Sequence, residues 1–322
     1  MAGSDGPWRI ATRRSALARA QAQEVADALA TATGRPAELV PMATTGDEHP
    51  DRAIESFDVK GLFVDATRQA VLDGDCHLVV HSYKDLPTEP AEGLTIGAVP
   101  PRRDPRDVLV TAAGHRLADL PRGPTPFTLG TSSARRRAQI QRARRDVLVQ
   151  PLRGNLDTRL RKVENGDVDG IVIALAGLLR LSPEVDLRAV PLEPGECLHA
   201  PGQGALALEC RVGDSATRKA LRRLDDPATR TCVAAEREMM MHLGGGCTAP
   251  IGAHAELRPG GQLELLGMYS DPNGTHLYRA SHTEPAADPR RLGRLLAATL
   301  LEASDGVLHH DEPAHEAGQH RH

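Results

Sequence analysis

The sequence predicts an α/β fold of two wound units in succession, followed by a third unit of different texture. Three observations carry this. Short apolar stretches alternate with amphipathic helical stretches through the first two thirds of the chain. The run Gly170–Ala174 (GIVIA) is short, continuous and β-branched, as strands buried on both faces are. Two proline-containing breaks interrupt the alternation: Pro100-Pro101 through Asp104-Pro105 marks a hinge, and Asp226-Pro227 opens the third unit.

In chain order, Trp8–Ala11 reads as a strand and Ser15 as the N-cap of a helix to about Ala32. Leu17, Gln21, Val25, Ala28 and Leu29 lie near one face of that helix, and Gly34 suits its stop. Ala37–Met42 is a second strand. Gly46–Lys60 is polar with five acids and suits a mobile lid. Leu62–Asp73 is a helix stopped by Gly74, and His77–His81 an apolar strand. In the second unit a strand near Phe127–Leu129 runs into Thr131-Ser132-Ser133 and a helix to about Arg145. The strand Val147–Pro151 and the helix Thr158–Glu164 precede GIVIA. The third unit holds the helix Ala228–His242, the strand Gln262–Tyr269 and a last helix Pro289–Ala303; Asp311–His322 is composed like a disordered tail.

The 322 residues are 40% apolar and 25% charged, a globular balance, but only 2% aromatic, so the cores rest on Leu, Val, Ile and Ala. Scarce aromatics argue against single-stranded nucleic acid as a partner. The apolar run Ile171–Leu179 is too short to span a bilayer, and Met1–Ile10 lacks the pattern of a secretory signal. The five cysteines, Cys76, Cys197, Cys210, Cys232 and Cys247, form no C-x-x-C pair for zinc or redox work, so no metal is expected. A reduced, soluble, cytoplasmic protein is the expectation.

The net charge is −4, yet Thr131–Lys162 holds ten cationic residues against two acids, a local balance of +8. Arg135, Arg136 and Arg137 fall in the first turn of a helix capped by Thr131-Ser132-Ser133. Cations there oppose the helix dipole and destabilise unless an anion sits among them. Arg153-Gly154-Asn155 with Arg159, and Arg180 after the apolar run, add cations at strand-to-helix junctions, where wound sheets bind ligands. His81-Ser82-Tyr83-Lys84-Asp85-Leu86-Pro87 occupies the same kind of place, and the carboxylate of Asp85 beside Lys84 suits stabilising a cation or moving a proton; an ordinary turn acid is the rival reading. Gly244-Gly245-Gly246-Cys247 leaves the Cys247 sulfur room for an attached group, although a lone cysteine is more often a small buried hydrophobe, the reading given to the other four.

Six segments together resemble the porphobilinogen deaminase (hydroxymethylbilane synthase) family, in the family's order: RIATRRSALARAQ (9–21), HSYKDLP (81–87), GTSSARRRAQ (130–139), RGNLDTRLRK (153–162), APGQGALALECR (200–211) and AEREMMMHLGGGCTAPIGAHA (235–255). The resemblance implies three domains: two periplasmic-binding-protein-like wound α/β domains facing a cleft, 8–105 with 203–222 and 106–202, plus a smaller α+β C-terminal domain, 223–310, ahead of the tail 311–322. It implies a monomeric transferase that joins four porphobilinogens on a dipyrromethane cofactor held by Cys247 through a thioether. Asp85 matches the catalytic carboxylate. Lys84, Arg135, Arg136, Ser132 and Ser133 match cofactor-binding positions, and Arg13, Ser15, Gln21, Ser82, Arg153, Arg159 and Arg180 substrate-binding ones. Val64-Asp65-Ala66-Thr67 and His77 depart from the family pattern, and the His-rich tail is outside it. Two lobes around an arginine-lined cleft would also suit a non-catalytic anion-binding protein, which remains the alternative.

Overall fold

The computed structural model describes residues 6–42, 66–181, 188–244, 249–271 and 274–304. The first unit begins with strand β1 (Trp8–Arg13), helix α1 (Ala16–Thr33), β2 (Ala37–Met42), a helical segment at 66–72, β3 (Leu78–Ser82) and β4 (Leu94–Ala98). Helix α1 forms where the sequence predicts. The Ser15 hydroxyl accepts from the Ala18 amide, and Gly34 stops the helix in the left-handed conformation at φ 72°. Its buried face, Ala22, Val25, Ala26 and Leu29, packs against Ile10, Leu78 and Leu208.

The second unit repeats this winding with β5 (Asp107–Thr111), β6 (Thr128–Gly130), α2 (Ala134–Ala143), β7 (Leu148–Gln150), α3 (Leu156–Glu164), β8 (Gly170–Ala174), α4 (Leu175–Leu181) and β9 (Ala189–Pro191). The apolar run Ile171–Leu179 therefore splits between a strand and the helix after it. The chain then returns to the first sheet as β10 (Leu206–Arg211), followed by α5 (Ser215–Leu221). The two five-stranded sheets have matching orders, β2-β1-β3-β10-β4 and β7-β6-β8-β5-β9. In each, three parallel strands are followed by an antiparallel one: β10 beside β3, and β5 beside β8. These are two wound α/β units of matching topology, and the first takes its antiparallel strand, β10, from beyond the second.

The third unit is α6 (Pro227–His242), an antiparallel meander of β11 (Ile251–Arg258), β12 (Gln262–Ser270) and β13 (Leu277–Pro285), and α7 (Pro289–Ala303). Both helices pack on the meander, with Met239, Leu263, Leu265, Leu292 and Leu296 fully buried between them. The helices cross closely at Gly293, where a Cβ would lie 2.6 Å from the Ala235 carbonyl oxygen. The sequence reading finds only the middle strand of this sheet.

Two connectors run side by side between the wound units. The Arg103 amide donates to the Gly204 carbonyl at 3.4 Å. Gly204 has φ 86°, and a Cβ there would meet the Arg103 carbonyl oxygen at 2.5 Å, so both backbone conformation and space demand glycine. The fully buried Glu236 of α6 binds Arg102 bidentately at 2.7 and 2.8 Å and accepts from the amides of Gly202 and Ala255. One carboxylate thus ties both connectors to the third unit.

His199, in the second connector, lies 3.0 Å from His254 Nδ1 and 2.9 Å from the Ala200 carbonyl. A neutral His199 donating from Nδ1 and accepting at Nε2 satisfies both contacts. Burial, with the Arg102 charge, pushes its pKa from 6.5 down to about 3. Below pH 6.5 the unfolded imidazole takes up a proton that the folded one refuses until about pH 3, so this group's contribution to stability is lost as pH falls through that window. Urea unfolding is expected to show a loss of up to about 1.4 kcal/mol per pH unit from this residue below pH 6.5. His199→Gln should flatten that slope, and equal slopes in the two proteins would refute it.

Candidate active site

Asp107 opens β5 immediately after the first connector and is fully buried. Arg135 Nη1 and Arg136 Nη2, from the first turn of α2, donate to its two oxygens at 2.6 and 2.7 Å. Burial alone would raise the Asp107 pKa, but the two guanidinium charges and their hydrogen bonds hold it well below the usual carboxylate range. Arg135 also donates to the Leu198 carbonyl, and Arg136 to the Val172 carbonyl. The basic turn is therefore neither a solvated face nor a set of cations awaiting a first anion. Asp107 is its resident carboxylate. Two groups at this turn stay unmatched: the buried Nε atoms of Arg136 and Arg137 have no hydrogen-bond partner among the described residues.

Lys84 faces this pair from the first unit. The end of β3 turns through a single 3-10 turn, Tyr83–Asp85. From it, Lys84 Nζ donates to Gln203 Oε1 at 3.2 Å, and Gln203 in turn donates to Asp107 Oδ1 at 2.8 Å. Burial pushes the Lys84 pKa down, against the opposing charge of Asp85 and with Arg136 and Arg135 repelling the ammonium. Arg159 of α3 is lowered likewise, by burial and by Arg136. Its Nε donates to the Gly154 carbonyl at 2.9 Å, and among the described residues it makes no ion pair. Lys84 from the first unit and Arg159 from the second thus each lie within reach of the Arg136 charge, which is an arrangement that attracts an anion.

Other predicted residues are placed more simply. Arg13 is exposed at the end of β1, and Ser15 caps α1. Gln21 and Ser82 hydrogen-bond each other at 2.8 Å. The Ser132 hydroxyl donates to the Leu152 carbonyl at 2.8 Å, and Ser133 caps α2. Arg153 is exposed and makes no ion pair among the described residues. Arg180 is turned away from solvent and bound to Glu24 of α1 at 3.0 Å.

Asp85 is exposed and forms no ion pair with Lys84, whose ammonium points to Gln203 instead. The two are not bonded to each other, yet Asp85 is the strongest charge that Lys84 feels and favours its ammonium form. Cys247 and the lid 46–60 lie outside the described residues. Cys76, Cys197 and Cys210 are buried as expected, but Cys232 is only half-buried. Burial pushes the Cys197 thiol up to about 12, and those of Cys210 and Cys232 up to about 11, so all three stay protonated.

The sequence reading missed three residues here. Asp107 and Gln203 complete the buried network. Arg237 of α6 donates to the carbonyls of Tyr83 and Leu86 at 3.0 Å each and of Pro87 at 2.7 Å, with its guanidinium 4.7 Å from the Tyr83 ring centre. It fixes the backbone of the Lys84-Asp85 turn. An acid opening an otherwise apolar strand, D-V-L-V, was the available signal for Asp107; nothing local marked the other two.

Family models match two stretches: porphobilinogen deaminase, dipyromethane cofactor binding domain, over residues 8–219, and porphobilinogen deaminase, C-terminal domain, over 230–302. A porphobilinogen deaminase of Acidothermus cellulolyticus is 45% identical over 97% of this chain and 97% of its own. That of Mycobacterium marinum is 46% identical over 91% and 94%, and that of Brevibacillus brevis 42% identical over 94% and 96%. Among solved structures, an ancestral cationic amino acid solute binding protein aligns with 68% of this chain and 89% of its own at 15% identity and a TM-score of 0.41. With both models matched in order and such identity along nearly the whole chain, the protein belongs to the porphobilinogen deaminase family of transferases and carries that family's dipyrromethane cofactor binding domain.

Proposed function

We propose that the chain is a cytoplasmic, monomeric hydroxymethylbilane synthase, joining four porphobilinogens head to tail with loss of ammonia and releasing the product by hydrolysis. The observation that carries this reading is that Lys84 from one unit and Arg159 from the other both feel the charge of Arg136, whose buried Nε has no partner among the described residues. The described residues fit a dipyrromethane, whose acetates and propionates need such cations. Lys84, Arg135, Arg136, Ser132 and Ser133 would hold those carboxylates, and Cys247 the thioether. Once bound, the group supplies the pyrrole carbon to which the first substrate is joined.

The chain's own residues do the rest. Arg13, Arg153, Arg159 and Arg180 bind the substrate carboxylates, with Ser15, Gln21 and Ser82 as polar supports. Charge-assisted bonds of this kind are worth about 1.5–3 kcal/mol each, which suits a site that must hold a growing polyanion. Asp85, exposed on a turn pinned by Arg237, holds pyrrole N–H groups and stabilises the positive charge that develops when ammonia leaves. The domains are proposed as 8–105 with 203–222, 106–202 and 223–310. No nucleic-acid or membrane partner is proposed, and no described helix is long and apolar enough to cross a membrane.

Intact mass separates this function from a non-catalytic anion-binding protein. The purified protein is expected to exceed its sequence mass by one dipyrromethane, and peptide mapping should place the adduct on Cys247. An active preparation at the sequence mass, or an adduct on another cysteine, would refute the attachment.

A further inference from the structure

Arg180 meets a carboxylate from the opposite wound unit. Its Nε donates to Glu24 Oε2 at 3.0 Å and its Nη2 to the Gly204 carbonyl at 3.3 Å. Arg103, from the first connector, brings its Nε within 3.3 Å of the same carboxylate. The Arg180 side chain is 3% exposed and that of Glu24 35%, so the carboxylate rather than the guanidinium faces solvent. The loss of hydration lowers the Arg180 pKa, and Glu24 offsets that effect.

This pair borders the candidate site. Glu24 stands about one turn along α1 from Gln21, whose amide bonds Ser82 beside the Lys84-Asp85 turn. Gly204 adjoins Gln203, which receives Lys84. We propose that Glu24 is a resident carboxylate that competes with the carboxylates of porphobilinogen for Arg180, and so sets the enzyme's affinity for its substrate. The proposal rests on the reading of Arg180 as a substrate-binding residue. An arriving carboxylate replaces Glu24 on the Arg180 fork, while Glu24 keeps its bond to the more exposed Arg103 and moves with it toward solvent. No covalent step is involved, only an exchange of one anion for another on a preformed cation. A mere strut between the units would show the same contacts and yet leave substrate affinity alone.

The two are separated by calorimetry on the cofactor-loaded protein. The probe is a 2-methylpyrrole carrying the same acetate and propionate, which binds but has no ammonia to lose. Glu24→Gln is expected to tighten its binding about fivefold, the scale of one partly exposed charge pair, and to lower KM for porphobilinogen in parallel. Arg180→Gln should weaken binding in the parent protein and erase the gain in the double variant. Unchanged or weaker binding in Glu24→Gln, with Arg180→Gln still weakening the parent, overturns the competition and leaves the Arg180 reading intact. Unchanged binding in Arg180→Gln alone removes the substrate role of Arg180 and takes the proposal down with it.

Discussion

Asp107→Asn is expected to lower stability by about 3–5 kcal/mol, because it strips the charge from a buried group that holds two buried cations. The substitution preserves shape and one acceptor oxygen. What it loses is the negative charge between Arg135 and Arg136, whose side chains are 5% and 8% exposed. Lys84 and Arg159 already feel Arg136, so the repulsion in the variant extends into both wound units. The midpoint of thermal unfolding should fall by roughly 4–7 °C. The fraction of protein carrying a dipyrromethane, read by intact mass, should fall with it. The cofactor carboxylates would partly replace the missing charge, so the loaded fraction should melt above the unloaded one. A variant melting within a couple of degrees of the parent and fully loaded would show that the two arginines are held by something other than Asp107.

How far the sequence reveals this site follows from how local each determinant is. Helix α1 is legible because Ser15 caps it, Gly34 stops it, and its apolar stripe recurs at helical spacing. The strand β8 is legible because a central strand buried on both faces leaves a continuous β-branched run. The strand β13 is not, because it alternates half-buried and exposed positions and is rich in polar residues, Arg279, Ser281, His282, Thr283 and Glu284. Its place in the meander comes from pairing with β12 along its full length.

The cations of the site were legible as a charge imbalance and as motif matches, but their partners were not. Asp107 lies 28 and 29 positions from the arginines it holds, and Glu24 lies 156 from Arg180. The winding of the second unit brings Asp107 to its arginines, and the packing of one unit on the other brings Glu24 to Arg180; no spacing rule anticipates either. The dipole argument at the head of α2 correctly required an anion; it could not say that the chain supplies one itself. Lys84 and Asp85, adjacent in sequence, were expected to pair. The 3-10 turn instead gives Lys84 to the buried Gln203 network and leaves Asp85 exposed.

That separation shapes the outcome expected for Asp85→Asn. If Asp85 were an ordinary turn acid, its replacement would cost a little stability and leave turnover near normal. The turn does not depend on its carboxylate: Arg237 grips three carbonyls around it, and the Tyr83 amide is bound to the Ala205 carbonyl at 3.0 Å. The variant should therefore fold, melt close to the parent and acquire its cofactor where assembly permits. Turnover is another matter. Asparagine keeps the size of the side chain but offers no negative charge to the cation formed as ammonia departs, and stabilisation lost only in the transition state lowers kcat more than it raises KM. Single-turnover rates on loaded protein are expected to fall about 10²–10³-fold, the scale of removing one electrostatic partner of a developing charge. Porphobilinogen should still bind, because the arginines that hold its carboxylates are untouched. A folded, fully loaded Asp85→Asn protein turning over at close to the parent rate would take Asp85 out of the chemistry.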